Sequence, residues 1–160
     1  MKLKNIILIV LLSSFVIAIA DQNSMAGEAG PVPPCPWPVK IEPPPPGTSP
    51  EIAHLLGFWT GECTRNSWKY RNNEMYILSV KGQRAKVYWG RGIPAGVAGN
   101  PTSGWSRIEN AEILTNPLRL KWQWERTGKM AMFELQEGRL VWWTSDVLGY
   151  MYETTLTKSN

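Results

Sequence analysis

The sequence predicts an all-β protein: an antiparallel up-and-down barrel of about eight strands, preceded by a Pro-rich extended segment. Leu118–Glu125 alternates apolar and polar residues without a break, which indicates a strand with one buried and one solvated face. After Gly57 the same period of two recurs in short runs that turn-forming residues separate. Ten of the thirteen prolines lie between Pro31 and Pro50, where they favour polyproline II over a sheet interior.

Residues 1–20 have the pattern of a secretory signal peptide. Lys2 and Lys4 precede the apolar run Ile6–Ile19, and Ala18 and Ala20 supply the small residues of a cleavage site before Asp21. The apolar run is short for a bilayer span. We therefore expect a secreted or periplasmic protein with no membrane span after cleavage.

The charge of the chain gives little reason to expect a nucleic-acid partner. The net charge is +4, and it falls to +2 once Lys2 and Lys4 are removed. The remaining basic residues are scattered among acidic ones, whereas a nucleic-acid interface would gather them on one face. We expect no nucleic-acid binding.

The two cysteines, Cys35 and Cys63, predict a disulfide in an exported chain. Such a bond would hold the Pro-rich segment against the domain. The alternative is a pair of free or intermolecular thiols. Two cysteines do not make a structural zinc site, which takes four ligands, and the sequence indicates no metal and no cofactor.

The chain divides into a Pro-rich linker over residues 21–50 and a barrel domain over residues 51–160. We expect the linker to be a stiff, solvated tail, with Trp37 packing where the tail meets the domain. Ser49 and Pro50 suit the cap and first position of a short helical turn, which Gly57 ends.

The apolar runs after Gly57 predict eight strands, and short hairpin-type connections favour a meander. A barrel removes the exposed edges that an open meander would leave, and a two-sheet sandwich is the alternative. The predicted strands are Phe58–Thr64, Glu74–Val80, Ala85–Trp89, Ser106–Leu114, Leu118–Glu125, Lys129–Gln136, Leu140–Ser145 and Tyr150–Thr157.

One connection is long: Gly90–Gly104 contains five glycines and two prolines. Long loops are often functional lids, and a lid at the barrel mouth and an uninvolved crossover are both compatible with this sequence. The glycine spacing does not match a phosphate-binding loop.

Two family resemblances support the barrel. Gly57-Phe58-Trp59 after a helical turn resembles the start of calycin and lipocalin barrels, in which the Trp closes one end. The second resemblance is to a small secreted bacterial β-domain that is sometimes found beside hydrolase domains. It rests on the order and spacing of three segments: Gly-x-Trp-x-Gly, Ala85–Gly90 and Gly104–Ile108. That domain has a poorly defined function, so the resemblance implies fold and export and says almost nothing about activity.

Catalytic patterns are scarce. His54 is the only histidine, and it lies on the predicted turn, where a surface position is the simpler interpretation. A glycosidase needs only two carboxylates; the candidates are Glu62, Glu74, Glu109, Glu112, Glu125, Glu134, Asp146 and Glu153. Glu134 would be of interest if it pointed inward, but Ala131, Phe133 and Leu135 form the more apolar face of that strand. We do not expect an enzyme.

The tryptophans are the best indication of function, since seven of the nine lie from Trp68 onward. Inward indoles can line a ligand cavity, although a small barrel can also fill its interior with large side chains. Trp142 and Trp143 are adjacent, so one ring faces inward and the other outward, where it can anchor a partner. We predict a ligand site at Trp89, Arg91, Trp105, Trp122 and Trp124, and an interaction surface at Trp143.

The leading hypothesis is therefore a non-enzymatic binding protein for a small apolar molecule, or for a glycan or other cell-envelope component at the barrel mouth. The second hypothesis is a protein-interaction or inhibitory module with a filled barrel, and the third is a carboxylate-dependent glycan-active enzyme. An interior cavity of several hundred Å³, the usual range for ligand pockets, would favour the first.

Overall fold

Eight antiparallel strands, paired in sequence order, close into a barrel in the computed structural model, which describes residues 28–96, 102–124 and 127–159. The last strand closes the ring on the first, with Phe58 opposite Ser159 and Arg65 opposite Tyr152. The predicted all-β class, strand number and up-and-down order are confirmed. The strands are β1 Gly57–Arg65, β2 Trp68–Lys81, β3 Arg84–Arg91, β4 Gly104–Leu114, β5 Arg119–Gln123, β6 Met130–Gln136, β7 Arg139–Ser145 and β8 Met151–Ser159.

The two ends of the barrel differ. Because successive strands run in opposite directions, the connections after β1, β3, β5 and β7 lie at one end, which we call the mouth. The connections after β2, β4 and β6 lie at the other end, which we call the base. Helix α1, Pro50–Leu55, enters β1 and therefore also lies at the base.

Helix α1 and Trp59 close the base. Ser49 caps the helix by accepting a 3.4 Å hydrogen bond from the Ile52 amide, and a proline occupies its first position, as the sequence predicts. Leu55 is fully buried, and its carbonyl accepts a 2.8 Å hydrogen bond from the indole Nε1 of Trp59. The indole is thereby satisfied inside the core, where an unpaired N–H would be costly.

The inward face of the barrel is apolar from the base to mid-height. Alternate residues of each strand project inward, so the period of two in the sequence becomes one continuous core. An aromatic layer lies at its upper limit, where the Phe133 ring is 5.3 Å from Trp89 and 5.5 Å from Trp122 between ring centroids. The fully buried residues of this core are Leu55, Trp59, Met75, Ile77, Val87, Ala111, Ile113, Leu120, Ala131, Phe133, Leu140 and Leu156.

Residues 28–45, which we call the strap, run along the outer wall of β2, β3 and β4 from mouth to base. Near the mouth the Gly30 amide donates to the Ile93 carbonyl at 2.9 Å, and near the base the Glu42 amide donates to the Leu78 carbonyl at 2.7 Å. The Trp37 ring lies 5.0 Å from that of Tyr88. Trp37 thus packs where the sequence analysis expects the tail to meet the domain, and the hydrogen bonds to Ile93 and Leu78 hold the strap in addition.

The predicted Cys35–Cys63 disulfide is wrong for this structure, in which both cysteines are free. The barrel wall separates them. Cys63 is inward and buried, whereas Cys35 belongs to the strap and lies on the outer side, close to Tyr76. Burial raises the pKa of Tyr76, and Glu74 and Cys35 add smaller contributions in the same direction.

The signal peptide and the absence of a membrane span after cleavage are the two remaining predictions about the chain as a whole. The signal peptide over residues 1–20 lies outside the described residues. Among the described residues, no helix has the length and apolar character that crossing a membrane requires.

Candidate functional site

An open cavity of about 930 Å³ occupies the mouth half of the barrel, above the aromatic layer. Its wall differs from the core below because inward positions near the mouth carry polar, basic and aromatic side chains. The aromatic lining residues are Tyr70, Trp89, Trp124, Trp142 and Tyr152. The basic ones are Arg71, Arg91 and Lys129, and the smaller ones include Cys63, Asn73, Ser106, Thr144 and Thr154.

Three of the predicted ligand residues line this cavity: Trp89, Arg91 and Trp124. Trp89 is 2% exposed and forms part of the floor. The Arg91 guanidinium carbon lies 5.8 Å from the centroid of the Trp124 ring, within the range of a cation–π contact. Whether these residues bind a ligand stays a prediction.

Trp122 belongs to the core below the cavity. It is 4% exposed and stacks on Phe133, and its ring meets that of Trp124 edge-on at 5.6 Å. Trp122 therefore supports the floor and wall of the cavity, and it is not among the lining residues.

Trp105 lies on the outer wall, so the structure does not bring it together with the other four. It is opposite Gly90 in the β3–β4 ladder, and Gly90 faces outward because its neighbours Trp89 and Arg91 face inward. A Cβ at Gly90 would lie 2.7 Å from the Trp105 indole. The indole thus occupies the space that Gly90 leaves, and its Nε1 donates to the Pro33 carbonyl of the strap at 2.7 Å.

The inner wall formed by β8, β1 and β2 carries the lining residues that the sequence prediction missed. Cys63 is opposite Thr154 on one side and Arg71 on the other, and Asn73 is the next inward residue of β2. Asn73 is 2% exposed although it is polar. Burial raises the pKa of the Cys63 thiol, and the hydrogen bond with Thr154 and the charge of Arg71 act weakly in the opposite direction.

Asp146 organises the turn between β7 and β8 at the mouth. Its carboxylate accepts hydrogen bonds from the Leu148 amide at 2.9 Å, the Tyr150 amide at 3.1 Å and the Tyr152 hydroxyl at 3.0 Å. Desolvation acts to raise the pKa of Asp146, but these hydrogen bonds together with Arg65 lower it overall. Burial and the hydrogen bond to Asp146 raise the pKa of Tyr152 to about 12.

Within the described residues, no two of the candidate catalytic residues meet in the cavity. His54 is exposed on α1 at the base, and Glu134 points outward, where it pairs with Arg119 at 2.8 Å. Asp146 is the only acidic residue among the described residues that line the cavity, so a pair of inward carboxylates is not found there. Glu125 lies outside the described residues. Across residues 28–96, 102–124 and 127–159, no three His, Cys, Asp or Glu side chains come together as a metal site.

Trp142 and Trp143 face opposite sides of the wall, as predicted. Trp142 lines the cavity and lies 5.5 Å from Phe133, whereas Trp143 is 47% exposed. Beside Trp143 on the outer wall, Met130 and Met132 are 46% and 40% exposed and border a shallow groove. The groove shares the lining residues Met130, Trp142 and Thr144 with the cavity but does not include Trp89 on the cavity floor.

Only the flanks of the long connection can be placed relative to the cavity. Thr102 lines the mouth, and the Gly92 amide donates to the Asn72 carbonyl at 2.9 Å. Residues 97–101 lie outside the described residues, so the lid and crossover alternatives both stand. In comparisons with known proteins, no family model, no curated protein and no solved structure matches this chain.

Proposed function

We propose that this protein is a non-enzymatic binding protein that holds a small molecule with an apolar or aromatic body inside its barrel. The observation that carries this proposal is the open cavity of about 930 Å³ with indole rings in its wall. Ligand pockets commonly have volumes of about 300–1,000 Å³ and combine apolar walls with a few polar groups. The cavity has both properties.

The division of the barrel into two halves supports ligand binding over a filled barrel. The base half is packed with buried apolar side chains. The mouth half has the same strand framework but leaves its interior open. A preformed cavity reduces the entropic cost of binding.

The indoles favour a ligand with a flat or apolar body. Trp89 lies at the floor, and Trp124 and Trp142 lie in the wall. Aromatic rings stack on flat apolar groups and on the faces of sugar rings, so a small glycan is a second type of ligand that the experiment below can detect.

We also propose that the protein is a calycin-like barrel and that it is exported. The closed ring of eight antiparallel strands and the Trp59–Leu55 closure of the base support the first proposal. The signal-peptide pattern of residues 1–20 supports the second. An exported barrel with an accessible mouth is suited to taking up molecules from its surroundings.

The experiment that tests the function combines native mass spectrometry of the mature protein, purified without denaturant, with titration by the neutral fluorescent probe phenylnaphthylamine. We expect saturable probe binding, together with an added mass that denaturation removes if the native ligand is retained. A Ser106→Trp variant, which places an indole inside the cavity, should lose probe binding. Trp143→Ser, on the outer wall, should keep it.

Two results would contradict the proposal. One is a protein that carries no added mass and binds neither the neutral probe nor a panel of small glycans. The other is probe binding that Trp143→Ser removes and Ser106→Trp leaves intact, because the outer groove would then be the site.

A further inference from the structure

A basic side chain projects from the middle of the polar inner wall. Arg71 lies on β2 opposite Cys63 of β1, and the inward residue next to it along the strand is Asn73. All three line the cavity, as does Thr154 on β8. The guanidinium of Arg71 is therefore directed into the interior of the barrel, away from the outer solvent.

Arg71 has no anionic partner within the described residues. Six other basic side chains are paired with carboxylates there, and Arg71 is not among them. Its buried Nε–H also meets no hydrogen-bond acceptor in the described part of the chain. The guanidinium carbon lies 5.6 Å from the centroid of the Tyr70 ring. A buried donor without an acceptor is costly, and a guanidinium in a cavity is satisfied best by a ligand that supplies the acceptors.

The acidic residue of the cavity does not fill this role. The oxygens of Asp146 are engaged by two backbone amides and by the Tyr152 hydroxyl, and the charge that acts on Asp146 is that of Arg65. The other charged lining residues, Arg91 and Lys129, are basic. The cavity thus favours a ligand that brings negative charge.

We propose that Arg71 anchors an oxyanion subsite and that the ligand is an amphipathic anion. Its carboxylate, phosphate or sulfonate group pairs with the guanidinium, whose planar fork matches two oxygens of such a group. The apolar or aromatic body lies against Trp89, Trp124 and Trp142. The Asn73 amide lies on the same wall and can donate to a remaining oxygen. This inference rests on the proposed function and specifies the chemistry of its ligand.

The test compares two fluorescent probes that share one aromatic body. Anilinonaphthalene sulfonate carries an anionic group, whereas phenylnaphthylamine is neutral. We expect Arg71→Gln to lower the affinity for the sulfonate by about tenfold to a hundredfold, the usual loss for a hydrogen-bonded charge. The affinity for the neutral amine should stay within about twofold, since its contacts are apolar. Arg84→Gln, which removes an exposed arginine at the base, is the matched control and should change neither affinity.

The outcomes separate the two proposals. If neither probe binds to the wild-type protein, the proposed function fails and the subsite fails with it. If both probes bind and Arg71→Gln changes neither affinity, or lowers both equally, the cavity is a binding site but Arg71 is not its anion anchor.

A second measurement needs no variant and decides the question if Arg71→Gln does not fold. Salt weakens the attraction between a guanidinium and an anion, so the affinity of the wild-type protein for the sulfonate should fall with ionic strength while that for the neutral amine does not. Equal salt responses would overturn the inference.

Competition with three aliphatic compounds identifies the type of head group. Dodecanoate, dodecyl phosphate and dodecanol share one chain length and differ in the group at its end. We expect one or both anions to displace the sulfonate probe and the alcohol to do so at least about tenfold less well. The stronger anion assigns the ligand as a carboxylate or a phosphate, and displacement by all three with equal strength would overturn the inference.

Discussion

The indole Nε1 of Trp105 donates a 2.7 Å hydrogen bond to the carbonyl of Pro33, and this bond joins the strap to the outer wall of the barrel. The same indole stacks on Tyr76 with ring centroids 5.5 Å apart. Trp105 therefore has a structural position, although the sequence places it beside the long connection and suggests a ligand residue. It holds the strap close to the flanks of the mouth.

Replacement of Trp105 by Phe should loosen the strap. The ring stack on Tyr76 is retained while the hydrogen bond to Pro33 is lost, so the expected cost is about 1 kcal/mol. Amide hydrogen exchange at Gly30, which is bonded to Ile93, should accelerate about fivefold. Trp143→Phe is the control on an exposed indole, and equal exchange rates in the two variants would contradict this role.

A side chain at Gly61 should destabilise the barrel. A Cβ at this position would lie 2.0 Å from the Thr155 carbonyl oxygen and 3.0 Å from the Leu156 Cα, both of which are backbone atoms of β8. We expect Gly61→Ala to lower the free energy of unfolding by about 1–3 kcal/mol, measured by urea denaturation. The neighbouring Thr60→Ala should cost about 1 kcal/mol or less. If both variants unfold at the same urea concentration, the short distance between Gly61 and the backbone of β8 does not restrict this position.

The mature protein should contain two free thiols, since the barrel wall separates them. Its intact mass without reduction should equal that of the fully reduced chain. Burial raises the pKa of Cys63, which lowers its thiolate fraction at neutral pH. The Cys35→Ser variant should therefore react with a thiol reagent at least about tenfold more slowly than Cys63→Ser. A mass deficit of two hydrogens together with a Cys35–Cys63 linked peptide would restore the disulfide.

The Asp146–Tyr152 pair should act on stability at both ends of the pH range. Because the pKa of Tyr152 is raised, its contribution to the free energy of unfolding is complete when the pH is below about 10, the ordinary pKa of tyrosine. The contribution is lost as the pH rises through about 12. Asp146 has a lowered pKa, so its contribution is complete above its ordinary pKa and is lost as the pH falls through the lowered value.

Replacement of Asp146 by Asn tests this coupling directly. The variant should lower the pKa of Tyr152, because the negative acceptor is gone, while the part that arises from burial remains. Titration of the tyrosine ring carbons by NMR measures the change. Glu153→Gln, next to Tyr152 on the opposite face of β8, should leave that pKa in place. An unchanged pKa in Asp146→Asn would show that burial alone raises it.

The period of two was sufficient to predict the barrel. Each predicted strand overlaps an observed one, and the hydrophobic face of Leu118, Leu120 and Trp122 is buried as expected. The alternation of apolar and polar residues is a local property of each strand. In a meander each strand pairs with its neighbours in the sequence, so the order of the strands along the chain also gives the topology of the sheet. Consequently, eight short strands could be assigned without knowledge of long-range contacts.

The cavity wall was harder to predict because a strand that faces an open interior need not be apolar. The predicted second strand begins at Glu74, whereas β2 begins at Trp68. Arg71 and Asn73 alternate with outward residues as regularly as Met75 and Ile77 do. Because these inward residues are polar, the first part of the strand was not predicted. The alternation of inward and outward residues continues toward the N-terminus, and this continuation is the signal that would have identified them.

The disulfide prediction failed for a different reason. An oxidising compartment and an even number of cysteines indicate that a disulfide is chemically favoured. They do not indicate on which side of a sheet each thiol lies. Cys63 faces inward because it is two positions after Gly61 and four after Trp59 on β1. The position of Cys35 depends on the path of the strap, which the prolines alone do not determine.

The path of the strap also determines how the barrel is oriented when the protein is coupled to a surface or a fluorophore. The described chain starts beside Ile93 at the mouth and ends where Ser159 pairs with Phe58 at the base. A surface or fluorophore coupled through the C-terminal strand therefore points the opening toward bulk solution. A tether at residue 28 instead holds the opening toward whatever it is fastened to, so the same barrel would sample the solution in one orientation and the supporting surface in the other.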